Sequence, residues 1–302
     1  MNEMRDMFWY WVRERHSIYK KRKAGEPAPW TEDPILKTYR FTNVYRELDR
    51  TTLWFKDNVR NPLYHYPEVL LATVVFRWFN RIETGELLLN TQSTEHQERT
   101  QYGLFEWWDT DIARSTLTGH TPIVTGAYII KTPDGYDKLN GVLWCIDAFR
   151  QHYSTYQGRR YQYEELAADL INRPEHHSLE DMWKWLINFP FMGPFMAYEV
   201  VTDLRHTALQ NQARDMSTWA NAGPGAMRGL NRIAGRPLEY RSAKHGWQRE
   251  MRDLLAEANY PRIDGTFPAF ELREIEHSLC EFDKYARVKL GEGAPRQRYN
   301  GG

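Results

Sequence analysis

The chain has 302 residues, with 40 basic and 40 acidic side chains, zero formal net charge and 41% hydrophobic residues. That length suits one large domain or two modest ones, and the longest apolar run, Val69–Phe76, falls well short of the ~20 residues a spanning helix needs. Two cysteines, Cys145 and Cys280, exclude a disulfide framework and a zinc ribbon, and the charged start shows no signal-peptide pattern, so a soluble protein of a reducing compartment is expected.

In chain order, residues 3–23 read as an aromatic-rich helix ending in the basic run Lys20–Lys23. Gly25, Pro27 and Pro29 then enforce a loop. Thr42 is the expected N-cap of a helix through Asn58, and a further helix starts after Pro67 and runs to Ile82. The β-branched stretch 121–135, with its Pro133-Asp134-Gly135 turn, is the expected strand or hairpin. Helices follow at 138–154, 161–172, 179–189, 194–208, 225–234, 245–258 and 269–290. The expected fold class is mainly α with a minor β-hairpin.

Aromatics make up 14% of the chain, including 12 Trp. Most will fill the core, although stacking platforms for unpaired bases use the same side chains. Net neutrality leaves nucleic acid open, because a local basic stripe suffices. Residues 37–60 supply one, with six basic side chains against three acidic ones.

The segment 178–204 is a tight helix–hairpin–helix. Ser178 caps the first helix in a capping-box-like layout, Pro190 stops it, and Gly193-Pro194 opens the second. The exposed amides of such a turn suit a phosphate, but a plain αα-hairpin would read the same way.

Leu186–Ala197 resembles the hairpin of the helix–hairpin–helix DNA glycosylases. That resemblance implies DNA contact through Met192, Gly193 and Phe195, and a catalytic Asp downstream. Asp215 follows Gly193 by 22 residues and is the match, whereas Asp203 is too close. Phe195 stands where bifunctional members carry a lysine, so no Schiff-base lyase is expected. Longer segments, Phe41–Arg50, Phe79–Glu83, Trp219–Ala226 and Glu276–Tyr285, are similar to the α-glutamyl/putrescinyl thymine pyrophosphorylase family of phage amino acid:DNA transferases, with matches from about residue 40 to 299. The resemblance implies a single glycosylase-like domain of two helical lobes, working in the cytoplasm of an infected bacterium. Its implied partners are DNA carrying pyrophosphomethylated uracil and a small amine or amino acid that displaces pyrophosphate. No cofactor and no membrane partner are expected.

Such chemistry needs a pyrophosphate cradle and a proton acceptor. One cradle is the glycine-rich turn and helix at 221–232, with Asn221, Gly225 and Arg228; it lacks the GxxxxGK[ST] spacing of a P-loop and reads equally as a Gly-Pro turn with surface arginines. The other is Arg40, Asn43 and Arg46, with Asn43, Arg46 and Arg50 sharing one face of the expected helix; its plainer reading is backbone phosphate contact. On the last helix, Ile275, Leu279, Phe282, Ala286 and Leu290 form the apolar stripe, and Glu276, Cys280 and Asp283 border it. Glu276 and Asp283 join Asp215 as candidate catalytic carboxylates. Glu281 reads as ordinary helix charge pairing. Cys280 is a candidate nucleophile for pyrimidine C6 only if its surroundings favour a thiolate; a small buried side chain is the commoner case. Cys145 reads as core, and the histidines lack metal-ligand spacing.

Two rival functions share these features. A monofunctional glycosylase would use the same hairpin and Asp215 to excise a modified base, and a non-catalytic module would only bind DNA. The identity of the amine is not legible.

Overall fold

A computed structural model describes residues 3–92, 101–127, 129–242, 246–258, 269–295 and 298–299. Among them are thirteen α-helices and one two-stranded ribbon. The elements are α1 (Glu3–Lys23), α2 (Pro34–Thr38), α3 (Arg50–Phe55), α4 (Glu68–Phe79), α5 (Ile82–Asn90), α6 (Thr110–Leu117), α7 (Lys138–Gln151), β1 (Ser154–Tyr156), β2 (Arg159–Tyr161), α8 (Tyr163–Asn172), α9 (Leu179–Leu186), α10 (Pro194–Leu204), α11 (Pro224–Ile233), α12 (Gly246–Ala258) and α13 (Leu272–Lys289). The chain divides into two compact units, residues 1–49 with 217–302 and residues 50–216.

The first unit is built on α1, α11, α12 and α13. Phe8, Trp9 and Trp11 of α1 are buried, and Phe8 meets Phe282 of α13 edge-on at 5.5 Å. Helix α11 runs against α13 at the closest approach its glycines permit. A Cβ on Gly229 would come within 2.5 Å of the Leu279 carbonyl oxygen, and one on Gly225 would strike the Cys280 side chain. Small residues four apart therefore let two backbones touch, and the helix-helix contact itself requires the spacing.

The second unit centres on α4. All its residues from Val69 to Phe79 are buried, as expected of a helix apolar on every face. Phe76 stacks on Phe55 with centroids 4.4 Å apart, and Trp185, Phe149 and Phe189 form a second aromatic knot. Most of the tryptophan excess therefore serves the two cores; Trp9, Trp11, Trp78 and Trp185 are among the largest fully buried side chains. Helix α4 ends at Asn80, whose φ of 44° is left-handed and whose side chain accepts from Arg77 at 2.8 Å. Asp203 of α10 lies fully buried between Arg60 and Arg77 and fixes α10 against α4.

Three expectations need correction. The helix beginning at Thr42 does not form: residues 40–45 are irregular, a single 3-10 turn spans Arg46–Leu48, and α-helix begins only at Arg50. Asn43, Arg46 and Arg50 therefore share no helical face. The ribbon is not at 121–135, where the described residues hold no strand, but at β1–β2, joined by Gln157-Gly158 with both φ values positive. Asp134-Gly135 is the stronger turn signal in sequence, yet the pairing forms at Gln157-Gly158, where both central residues adopt the positive φ that a two-residue hairpin requires. Finally, Leu290 is not in the apolar stripe of α13, since it caps the helix and is 45% exposed; Ile275, Leu279, Phe282 and Ala286 are buried as expected.

The helix–turn–helix of α9 and α10 is present. Ser178 caps α9 by accepting from the Asp181 amide at 3.0 Å, and Pro194 occupies the first turn of α10. Phe191 in the turn has φ 61°, a left-handed backbone unusual for a large side chain.

Candidate functional site

The site in the first unit is where the irregular segment 40–49 docks on α13. Arg15 of α1 holds the segment from below, donating to the Thr42 carbonyl at 2.9 Å, the Phe41 carbonyl at 3.3 Å and Asn43 Oδ1 at 2.8 Å. The Thr42 amide donates to Glu281 at 3.3 Å, and the Thr42 hydroxyl lies 2.8 Å from His277 Nε2. Asn43 closes the segment on itself through its amide to Asp49 at 2.9 Å and Nδ2 to the Leu48 carbonyl at 2.8 Å. These bonds explain why no helix starts at Thr42. The local side chains satisfy the backbone in another way, a known competitor of helix formation.

This docking brings Arg46 into electrostatic reach of two adjacent α13 residues, Glu276 and His277. Glu276 accepts the Gly223 amide at 3.3 Å, at the N-terminus of α11. Burial raises the Glu276 carboxyl from 4.5 to about 7, against the opposing pull of that amide, Arg46 and Arg273. Burial also drives His277 well below 6.5, and Arg46, Arg273 and Lys284 push it the same way. Its imidazole is therefore neutral at physiological pH. Both residues are half-buried, and a carboxyl poised to titrate near neutrality lies beside a neutral ring.

Arg228 and Arg232 of α11 flank the site, each donating through Nε to Asp283 of α13 at 2.8 Å. Asp283 and Arg232 are buried, and Arg232 also reaches Glu292 at 2.6 Å. Arg228 keeps 41% of its side chain exposed, leaving one edge of its guanidinium toward solvent.

The structure thus brings together Arg46, Glu276 and the N-terminus of α11. Asp283 belongs to a buried ion-pair clamp and has both oxygens occupied. Gly225 faces Cys280, so its observed task is helix packing. The Asn43 side chain is committed to Arg15 and Leu48. Arg40 is exposed, and Asn221 is half-buried with no described hydrogen bond. Burial and the neighbouring carboxylates Glu281 and Glu276 push the Cys280 thiol up to about 12, so the surroundings do not favour a thiolate nucleophile. Glu281, read from sequence as ordinary charge pairing, is buried and ties Lys284 and the Thr42 amide together. His277, Thr42 and Arg273 were missed because helical projection of α13 could not foresee a non-helical segment lying across it.

The second unit holds the other expected residues. Met192 is 2% exposed, so its side chain is part of the core and only its backbone can face a partner. Gly193 is exposed, and Phe195 and Phe191 are 54% and 43% exposed at the tip of the turn. Asp215 accepts from the amides of Leu179 at 2.7 Å and Glu180 at 3.0 Å, which makes it a second cap of α9. Among the described residues no cluster of ligand side chains fits a metal, and no helix is long and apolar enough to cross a membrane.

A mainly helical protein with a near-neutral carboxyl, a neutral imidazole and arginines along one helix is equipped to move a proton beside an anionic group. The chain belongs to the family described as 5-hmdU DNA kinase, helical domain, which matches residues 2–294. It is similar to a 5-hmdU DNA kinase of Bacillus phage SP10, 29% identical over 249 residues that make up 76% of this chain and 36% of that protein. The chain therefore spans about a third of the length of that curated relative. No solved structure matches it.

Proposed function

We propose that the chain is a DNA base-modification transferase acting on thymine derivatives whose methyl carbon bears a pyrophosphate, 5-pyrophosphomethyl-deoxyuridine. The similarity to a 5-hmdU DNA kinase supports modified DNA as the partner. Phosphorylating 5-hydroxymethyl-deoxyuridine turns a hydroxyl into a leaving group, and an enzyme of the same family is well placed to use that group.

The observation that carries the reading is Glu276, with its pKa near 7 and its position at the α11 N-terminus. In the step, an amine nitrogen forms a bond to the C5-methylene carbon as the carbon–oxygen bond to pyrophosphate breaks. The neutral amine supplies the lone pair; the proton its nitrogen sheds once bonded to carbon goes to Glu276, directly or through His277, and pyrophosphate leaves with the electron pair of the broken carbon–oxygen bond. A carboxylate of ordinary acidity would be a weaker acceptor at neutral pH. Arg46 and the exposed edge of Arg228 supply positive charge for the leaving anion. The hairpin amides around Gly193, with Phe195, hold DNA, and a glycosylase-like fold would extrude the base. Asp215 is kept as a candidate catalytic carboxylate on the hairpin resemblance alone, in addition to its capping bonds within the second unit.

Incubating the protein with pyrophosphomethylated DNA and a panel of amines and amino acids tests the proposal. New aminomethyl nucleosides on mass spectrometry, lost in Glu276→Gln, support it. Abasic sites would replace it with a glycosylase, and unaltered DNA under all conditions would reduce the chain to a binding module.

A further inference from the structure

The second unit contains a cavity of about 400 Å³ that none of the above uses. Phe105, Trp107, Trp108 and Tyr163 contribute aromatic walls, and Leu71 and Ile112 contribute aliphatic ones. The volume lies within the range of small-molecule sites, and the walls combine apolar surface with a few polar groups as such sites do.

Its charge is one-sided. Glu68, Glu106, Asp109 and Glu164 line it against Arg150. Arg150 pairs with Asp147 at 3.6 Å and bonds Tyr163, while its buried Nε has no hydrogen-bond partner among the described residues. Asp109 is engaged too, because it caps α6 through the amides of Asp111 and Ile112, both at 2.9 Å. Glu164 accepts the Tyr163 hydroxyl at 2.7 Å. Among the carboxylates Glu106 differs, since its Oε2 is buried and has no hydrogen-bond partner among the described residues. A buried carboxylate oxygen without a donor is costly unless something else donates to it.

We infer that this cavity binds a small organic cation bearing a primary ammonium, held by a charge-assisted hydrogen bond to Glu106 and by the aromatic walls. An ammonium supplies the missing donor, neutralises the carboxylate excess and is attracted to the faces of tryptophan and tyrosine. Phosphate-bearing ligands are disfavoured by the same excess of negative charge. The inference concerns binding in the second unit and stands whether or not the bound amine is the one transferred to DNA.

Isothermal titration of the whole chain, without DNA, tests it with ethylammonium and 1,3-diaminopropane as probes. Propan-1-ol, propionate and thymidine serve as neutral, anionic and nucleoside comparisons. Saturable binding of the amines alone is expected, with Kd raised at least tenfold in Glu106→Gln, a substitution that keeps shape and removes charge. Ile112→Trp, which narrows the space without altering charge, should weaken the same binding, whereas Glu83→Gln outside the cavity should not. Thermal melts establish that the variants are folded. No amine binding, tighter binding of thymidine, or amine affinity unchanged in both cavity variants would each overturn the inference. Because the readout needs no modified DNA, its failure is separate from failure of the proposed reaction.

Discussion

Arg228 and Arg232, one helical turn apart on α11, hold the two oxygens of Asp283 through their Nε atoms at the same distance, 2.8 Å. The pair is unequal in exposure: Arg232 is buried inside the clamp, and Arg228 is its solvent-facing half. Arg228→Ala should leave the fold nearly intact, with a loss of at most about 1 kcal/mol, because half-exposed pairs contribute little. It should lower turnover on pyrophosphomethylated DNA while affinity for unmodified DNA is retained, and Arg228→Lys should rescue poorly. Filter binding alongside the nucleoside assay separates the two effects. Equal weakening for both DNAs would reassign Arg228 to the phosphate backbone.

Asp283→Ala should behave differently, destabilising the chain by about 3–5 kcal/mol because it leaves the buried Arg232 guanidinium short of a partner. Urea denaturation reads this directly. A variant of near-normal stability with abolished turnover would restore Asp283 as a catalytic carboxylate.

Glu276 makes activity depend on pH. Its base form predominates above about 7, so the rate should rise through that value, and Glu276→Gln should remove both the rise and most of the product. Stability responds with the opposite sign. Between its unfolded value of 4.5 and about 7, folded Glu276 keeps a proton that the unfolded chain releases, so its contribution is full at low pH and lost as pH climbs through about 7. His277, shifted down, opposes folding as pH falls below 6.5. Relative to the parent, Glu276→Gln should therefore gain stability between pH 5 and pH 8. Denaturant midpoints at the two pH values check it.

Sequence reading recovered the long helices, from α1 to α13, because their apolar spacing and their proline, glycine and hydroxyl boundaries are local signals. Glu276 was found by projecting α13. The site itself was only half legible. Arg46 was selected for sharing a helical face, yet it reaches Glu276 because Asn43, Asp49 and Arg15 prevent that helix from forming. Such competition is settled by residues distant in sequence, and no periodicity reports it. Gly225 was selected as a phosphate cradle, but its lack of a side chain answers to Cys280.

The glycine packing yields its own prediction. Gly225→Ala should destabilise the first unit by about 1–3 kcal/mol through overpacking against Cys280. Adding Cys280→Ala should recover part of that loss, since the Sγ atom is the nearest obstacle. A double-mutant cycle with strictly additive losses would contradict the contact.

Asp215 and Gly193 separate structure from DNA binding in the second unit. Asp215→Ala should cost about 1 kcal/mol as a lost helix cap, measured by thermal melting. Asp215→Asn, which keeps an accepting oxygen, should cost less, so any large fall in turnover there would belong to chemistry. A Cβ on Gly193 would meet nothing within 4 Å, and its φ of −69° suits any residue. Gly193→Leu should therefore melt normally while weakening binding to modified and unmodified DNA alike. Weakening confined to modified DNA would remove the hairpin from backbone contact.

The order of the chain imposes an order of assembly. Residues 50–216 are contiguous, whereas the first unit joins residues 1–49 to residues from 217 onward. Thr42 and His277 are 235 positions apart, and Thr42 and Glu281 are 239 apart. At ribosomal elongation rates the aromatic face of α1 waits roughly 15 to 55 seconds for α13 to emerge, while the second unit can close in the meantime. During that interval Phe8, Trp9 and Trp11 have no permanent cover, which makes the nascent first unit the segment most in need of a chaperone. Premature termination just beyond residue 216 would leave every residue of the second unit in place and no assembled acid–imidazole pair.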